Sequence, residues 1–369
     1  MLTRVEITNY KCLADVKVDL TPLHAIVGPN DSGKTSFLEA VAALVNVRQL
    51  GSKAFPPAWD GRELASAETG AESVTFSATL KKWRSRSTTR FTQQIIFPEN
   101  GQELIPKNIL FEPDSREAKI ERAKLGPALL FHFHPPELAR PSAWVDEKAF
   151  PMDIAGHGLP TLLDEILGKD RDRFVAMEKE FCELFPRYSR IVLEPAKATY
   201  KVIRQEDGLV EYKTMPGKRL RLVARDDEWQ VSAAHVSSGV LIVLAILAIK
   251  HQPSSPSVVL IEEPENSIHP GLLGELVRLV REISERSVKA QKGPQVILAS
   301  HSPYLLDHLE AEEVTLFTRE PNGATRTLRM SDSERVQHML KHFHLGEVWT
   351  QDGEEKLMEM AAQSEAEAQ

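Results

Sequence analysis

The sequence predicts an α/β fold built on a parallel sheet, with an antiparallel β lobe and a phosphate-binding loop. Three observations carry that expectation. The runs "HAIVG" from His24, "SVVLI" from Ser257 and "QVILA" from Gln295 are apolar and alternate with helical patterns, as in a parallel sheet covered on both faces. Near the N-terminus "ADVKVDL" places Val16, Val18 and Leu20 on one face, the period of a half-buried strand. Between strand and helix, "GPNDSGKT" from Gly28 to Thr35 fits G-x-x-x-x-G-K-[ST] in full.

Composition sets the outer bounds. The 369 residues are 42% apolar and 27% charged, which excludes wholesale disorder, collagen-like chains and disulfide scaffolds. With 45 basic and 53 acidic residues the net charge is −8, so any hold on nucleic acid has to come from a local basic patch. Cys12 and Cys182 are the only cysteines, which fits a reduced, cytoplasmic protein with no cysteine metal site. The stretch Met1 to Tyr10 is mixed and charged and does not read as a signal peptide. The longest apolar run, Gly239 to Ile249, is shorter than the roughly 20 residues a bilayer needs. It reads as a core helix, and no membrane partner is expected.

Along the chain, "RVEI" from Arg4, "ADVKVDL" and "HAIVG" read as strands, and "KTSFLEAVAALVNV" as a helix with Phe37, Leu38, Val41, Leu44 and Val45 on one side. "SVTFSATL" and "TTRFTQQIIF" pair around a basic turn, and "ALLFHFHPPELARPSAW" is a buried strand ending at prolines. "LPTLLDEIL" and "RDRFVAMEKEFCELF" are helices; "RIVLEP", "YKVIR", "LVEYK" and "RLRLV" are strands. A helix over about 239–250, the strand "SVVLI", a helix over about 272–285, the strand "QVILA" and the short helix "YLLDHL" follow. From Asp352 the chain is acidic and Ala/Gln-rich, the composition of a fraying helix and disordered tail.

The motif spanning Gly28 to Thr35 has a physical purpose: its backbone must approach a triphosphate closely. Gly28 and Gly33 permit the tight turn, and successive N–H groups cradle the β-phosphate. Lys34 brings positive charge to the β- and γ-phosphates, Thr35 offers a hydroxyl to Mg²⁺, and the helix N-terminus adds its dipole. "VVLIEEPENSIHP" from Val258 delivers two carboxylates at a strand's C-terminal end, where open α/β sheets bind ligands. Glu262 suits Mg²⁺, and Glu263 suits orienting or deprotonating the attacking water. "VILASHSP" puts His301 at the next strand end; a lone histidine there is more often structural, but the preceding motifs reverse those odds. In "VSSGVLIVLAIL", Ser237, Ser238 and Gly239 open a helix. Its N–H groups suit an anion, although by sequence alone a plain serine N-cap is the stronger reading.

The order of these features resembles the ABC-type ATPase heads of the SMC and RecF group, and more closely the bacterial AAA-type ATPases related to the OLD family. "RVEITNYKCLADVKVDLTPLHAIVGPNDSGKTSFLEAV" is similar to that group's opening, "VSSGVLIVLAILAI" to its signature, "LIEEPENSIHP" to Walker B and D-loop, and "ASHSPYLLD" to its His switch. The likeness covers about 1–47 and 235–317, with "ELARPS" the most family-like part of the middle. It implies ATP and Mg²⁺, with Gly28, Asn30, Gly33, Lys34, Thr35 and Ser36 in Walker A. It further implies Glu262 as the Mg²⁺ carboxylate, Glu263 as the catalytic one, Asn266 to His269 as the D-loop and His301 as the switch. Ser237 and Gly239 would contact the γ-phosphate held by the opposite subunit of an ATP-sandwiched homodimer. The expected organisation is 1–50 and 231–330 as the two parts of the ATPase core, 51–230 as an insertion and 331–369 as a C-terminal helix and acidic tail.

Departures from the family pattern are Glu262 where transporters have Asp, Val240 after the signature glycine, and the lack of a clear Q-loop, for which Gln93 and Gln94 are weak candidates. OLD nucleases carry a C-terminal Toprim domain, whereas about 50 residues follow Phe317, too few for one. A nuclease effector would therefore act in trans. Lys81, Lys82, Arg84, Arg86 and Arg90 with Trp83 and Phe91 form the best DNA candidate, although a solvated hairpin is favoured there. Three functions compete: a DNA-linked ATPase in repair or phage defence, an ATP-gated protein-interaction regulator, and a transporter subunit, which "ITNYKCL" and the long middle section disfavour.

Overall fold

A computed structural model describes residues 1–50, 54, 73–81, 88–96, 105–106, 109–144, 150–203, 210–226, 229–254, 256–290 and 293–367. The chain folds as two compact units, one of Met1–Leu130, Ser255–Glu265 and Leu273–Gln369, the other of Phe131–Ser254 and Asn266–Leu272. The segment 51–230 is thus shared between them.

The first unit opens with β1 (Leu2–Tyr10), β2 (Leu13–Asp19), β3 (Leu23–Val27) and α1 (Lys34–Leu50). There follow β4 (Ser73–Lys81), β5 (Thr88–Ile96), β6 (Ile105–Pro106), β7 (Leu110–Glu112), α2 (Arg116–Ala123) and β8 (Ala128–His132), the last crossing into the second unit. An antiparallel sheet runs β2-β1-β4-β5-β6, with β7 also on β5. Its register sets Val5 opposite Val18 and Ala78, and Ile7 opposite Val16 and Phe76, so the alternating apolar residues share one buried face.

The second unit contains α3 (Pro135–Leu138), α4 (Leu159–Lys169), α5 (Arg171–Leu184), β9 (Tyr188–Ile203), β10 (Val210–Ala224), β11 (Gln230–Ser232) and α6 (Ser238–His251). The sequence suggests four strands where the structure has two long ones. β9 and β10 run through Pro195 and Pro216 without a break, pairing them with Lys218 and Lys197. In the sheet β11-β10-β9, β9 is an edge strand and β11 pairs β10 only at Arg221–Val223, so both prolines lie beside an outer edge, where the missing N–H is tolerated. Helix α6 is buried from Gly239 to Ile249, as its unbroken apolar run requires.

The chain returns to the first unit with β12 (Val258–Glu262), α7 (Leu273–Ala290), β13 (Gln295–Ser300), α8 (Pro303–Leu306), β14 (Val314–Arg319), β15 (Thr325–Arg329), α9 (Glu334–Met339) and α10 (Leu345–Glu367). The second sheet has the order β15-β14-β3-β13-β12-β8, with β12, β13, β3 and β14 parallel. Helix α1 packs on β1 and β4 of one sheet and on β12 and β13 of the other. Phe37, Leu38, Val41, Leu44 and Val45 are all buried there, and Phe37 meets Phe317 edge-on at 5.4 Å between ring centres. Truncating such a ring to Ala costs about 3–5 kcal/mol. The stretch from Asp352, expected to fray and end in a disordered tail, kinks at Gly353 (φ +72°) and is helical beyond it to Glu367. Leu357 and Met358 are buried, and the buried Asp352 carboxylate accepts from Arg335 at 2.9 Å and from Lys356 at 2.5 Å, so the acidic stretch is anchored by both packing and charge.

Candidate functional site

The site residues of the first unit converge because three parallel strands end together. Glu262 lies opposite Ala299, and Ala299 and Ser300 lie opposite Ile26 and Val27. The loop after β3, the carboxylates after β12 and the histidine after β13 therefore emerge from one edge of the sheet, where α/β folds bind ligands.

After Val27 the chain turns through Gly28 at φ +147° and Gly33 at φ +100°, conformations that side-chain-bearing residues rarely adopt. Space is closed as well: a Cβ on Gly28 would lie 2.1 Å from the Phe317 carbonyl oxygen, and one on Gly33 would lie 2.5 Å from Thr325 Oγ1. Strands β14 and β15 thus back the loop, a support the sequence reading missed. Thr325 Oγ1 also donates to the Ser32 carbonyl at 2.9 Å, and Asp31 (φ +65°) is ion-paired with Arg319. Asn30 is exposed, and Ser36 Oγ lies 3.8 Å from Cys12 Sγ.

Lys34 opens α1 and is buried; its Nζ donates to the carbonyls of Gly28 at 2.9 Å and Pro29 at 2.6 Å. Burial pushes its pKa down, against the pull of Glu263, Glu262 and Glu265. Thr35 Oγ1 donates to Glu262 Oε1, so the hydroxyl and carboxylate suited to Mg²⁺ are neighbours across 227 positions of sequence. Among the described residues no cluster of three or more His, Cys, Asp or Glu could hold a metal by itself. One carboxylate with one hydroxyl beside a phosphate cradle is a donor set that fits Mg²⁺, whose other ligands would be phosphate and water oxygens.

Glu263 adopts φ +47°, a strained conformation for a non-glycine residue. Its N–H donates to the Ala299 carbonyl at 2.8 Å, and its Oε1 lies 3.0 Å from His301 Nδ1. Glu265, which the sequence reading did not single out, is buried beside them. Its Oε1 accepts from Ser300 Oγ at 2.5 Å and from the His301 N–H at 3.3 Å. Burial pushes its pKa up, the Ser300 and His301 bonds opposing. Only its standing as the third glutamate of "EEPE" after an apolar strand could have marked it.

In the second unit Ser237 stands at the N-cap of α6, exposed and with no cap bond from its side chain. A Cβ on Gly239 would lie 2.7 Å from the Ser267 carbonyl oxygen. The glycine therefore lets the segment Asn266–Leu272 pack directly on the first turn of α6, uniting the signature-like and D-loop-like stretches.

The DNA candidate loses one of its two aromatics, Phe91. Phe91 is fully buried, with the Arg122 guanidinium 4.8 Å from its ring centre, because it lies on the inner face of β5. Arg90 is ion-paired to Glu6 at 2.6 Å, and Lys81 ends β4. Lys82, Trp83, Arg84 and Arg86 lie outside the described residues. Gln93 is buried in β5, and Gln94 donates to Ser73 Oγ at 2.9 Å, so both are strand residues.

Residues 23–307 match the family model described as "AAA domain, putative AbiEii toxin, Type IV TA system". An OLD nuclease of Thermus scotoductus is 23% identical over 378 residues, covering 94% of this chain and 68% of that protein. The fold is similar to that of an Smc head bound to the C-winged helix domain of ScpA, with a TM-score of 0.56 at 14% identity over 89% of this chain and 96% of that one. It is also similar to an Smc head domain with an extended coiled coil, bound to the C-terminal domain of ScpA derived from Pyrococcus furiosus, with a TM-score of 0.51 at 11% identity over 92% and 99%. The architecture is that of a P-loop, ABC-type ATPase head.

Proposed function

This chain belongs to that AAA-domain family of AAA/ABC-type ATPases, and from that premise we propose that it binds ATP on the loop from Gly28 to Ser36 and hydrolyses it with Glu263. The observation that carries the proposal is the convergence of Lys34, Thr35, Glu262, Glu263 and His301 at the ends of β3, β12 and β13. The loop N–H groups and Lys34 bind the phosphates. Thr35 and Glu262 hold Mg²⁺, which when bound offsets the charge of the phosphate oxygens. Glu263 orients and deprotonates the attacking water. His301, beside it, faces the γ-phosphate and keeps the carboxylate in place. Ser237 and Gly239 complete the site of a second copy, so that ATP is sandwiched in a homodimer.

The wider role proposed is a DNA-linked process such as repair or phage defence, working with an effector such as a nuclease in trans. The OLD nuclease relative supports it. A second reading, an ATP-gated protein-interaction regulator without DNA contact, is favoured by the buried Phe91 and engaged Arg90, and the two Smc heads are each bound to a protein domain. Among the described residues no helix is long and apolar enough to cross a membrane, and a cytoplasmic location is proposed. Phosphate release by purified protein, with Mg²⁺ required, tests the enzymatic core. Electrophoretic shift of duplex and single-stranded DNA with ATP, weakening as salt rises, separates the two wider readings. Binding that is absent at low salt favours the second.

A further inference from the structure

Two donors beside the switch histidine share one acceptor. Ser300 Oγ donates to Glu265 Oε1 at 2.5 Å, the His301 N–H donates to the same oxygen at 3.3 Å, and His301 Nδ1 stands 4.0 Å from it. The Ser302 N–H in turn donates to Ser300 Oγ at 3.0 Å. The backbone that carries the His301 ring is therefore tied to Glu265 directly at residues 300 and 301 and through the Ser300 hydroxyl at 302, just where β13 ends and its ladder can no longer fix it. The other Glu265 oxygen, Oε2, is buried and has no partner among the described residues. A buried polar atom left bare calls for an explanation, and a buried ionised carboxylate is the costly form.

We propose that Glu265 is a positioning residue, a neutral carboxylic acid whose Oε1 holds Ser300 and His301 and so presents His301 Nδ1 to Glu263. The proposal rests on the reading that this site hydrolyses ATP. In it Oε1 acts as a carbonyl-like acceptor and Oε2 carries the proton, so no charge is needed at this position. The upward push of burial on its pKa agrees. A glutamine has the same acceptor in the same place, with its NH₂ group where the acid has Oε2.

Two measurements test this. In steady-state hydrolysis, Glu265→Ala should lower kcat about tenfold with the KM for ATP within about twofold, as expected for a misplaced rather than a missing group. Glu265→Gln should stay within about twofold of wild type on both. In a His301→Ala background, adding Glu265→Ala should cost less than about twofold more, because the two residues act as one. In nucleotide-free protein labelled at histidine, the ring signals of His301, assigned by their loss in His301→Ala, should move in Glu265→Ala and stay in Glu265→Gln. A glutamine variant as impaired as the alanine one would mean the charge itself is used and would overturn the proposal. Additive penalties with His301→Ala, or unmoved His301 signals in Glu265→Ala, would overturn it as well. If wild-type protein hydrolyses no ATP, the catalytic reading has failed, and the histidine spectra still decide the role of Glu265.

Discussion

The two compact units treat their motif residues in opposite ways. In the first, the charged side chains of the site already hold one another or the loop: Lys34 the Gly28 and Pro29 carbonyls, Thr35 Glu262, Glu263 His301, and Glu265 Ser300. In the second, Ser237 opens a buried, apolar helix yet is itself exposed and makes no cap bond. A serine at that position ordinarily secures the helix start, worth about 1 kcal/mol. One region is a site closed on its own contacts, while the other offers donors at a helix end whose dipole favours an anion. The contrast suits a reaction centre in one unit and, in the other, a contact made to a neighbouring copy.

The largest expected effect strikes the first region. Lys34→Ala should reduce ATP affinity at least about a hundredfold by removing the cation from the phosphate cradle. Far-ultraviolet circular dichroism should be unchanged. Isothermal titration of both proteins measures this, and an unaltered affinity would remove the loop from nucleotide binding. Next in size, Glu263→Gln should lower kcat by about 10²- to 10³-fold while ATP binding persists, because the amide cannot take a proton. If Glu262→Gln abolishes turnover and Glu263→Gln does not, the two carboxylates exchange roles.

The contrast also explains what could be read in advance. Gly28 to Thr35, Glu262, Glu263 and His301 were legible because each sits within a few residues of an apolar strand whose end the sequence marks. The backing of Gly28 by Phe317 and of Gly33 by Thr325 was not. Those contacts join residues some 290 positions apart and depend on β14 and β15 flanking β3. Glu265 was overlooked because burial, and not residue type, makes it unusual. Phe91 misled because a strand's alternation tells which residues share a face, not which face is buried. The continuous β9–β10 pairing was broken into pieces by its prolines, which are accepted on the edge strand β9 and on the stretch of β10 beyond its short pairing with β11.

A smaller effect belongs to the second region. With Glu263→Gln protein, ATP should shift a monomer toward a twofold dimer in light scattering. Ser237→Arg should weaken that shift at least about tenfold by adding bulk and charge at the contact, with ATP affinity of the monomer preserved. A monomer with and without ATP at micromolar concentration would contradict the sandwich. A dimer untouched by Ser237→Arg would place the contact elsewhere.

The smallest effect is a difference in acid sensitivity between the units. In the first, His24 on β3 is fully buried, its ring nitrogens on Thr21 Oγ1 at 3.1 Å and Thr315 Oγ1 at 3.0 Å. Burial, helped by the charge of Arg329, pushes its pKa from 6.5 to about 3. Between those values the unfolded chain binds the proton and the folded one does not. Stability is therefore complete above pH 6.5 and falls by up to about 1.4 kcal/mol per unit as the pH drops. In the second unit, burial pushes the Glu180 carboxyl up, but hydrogen bonds from His251 and Lys250 outweigh it and bring the pKa from 4.5 to about 2. That contribution is intact above pH 4.5 and fades only below it. Amide hydrogen exchange, corrected for its intrinsic pH dependence, should show β3 losing protection between pH 6.5 and 4.5 while α5 and α6 keep theirs. His24→Gln should flatten the β3 slope in that window whatever it does to overall stability, since the titrating group is gone. Parallel loss in β3 and α5 across the same window would mean that the two units unfold as one, and that the contrast between them ends at the motif residues.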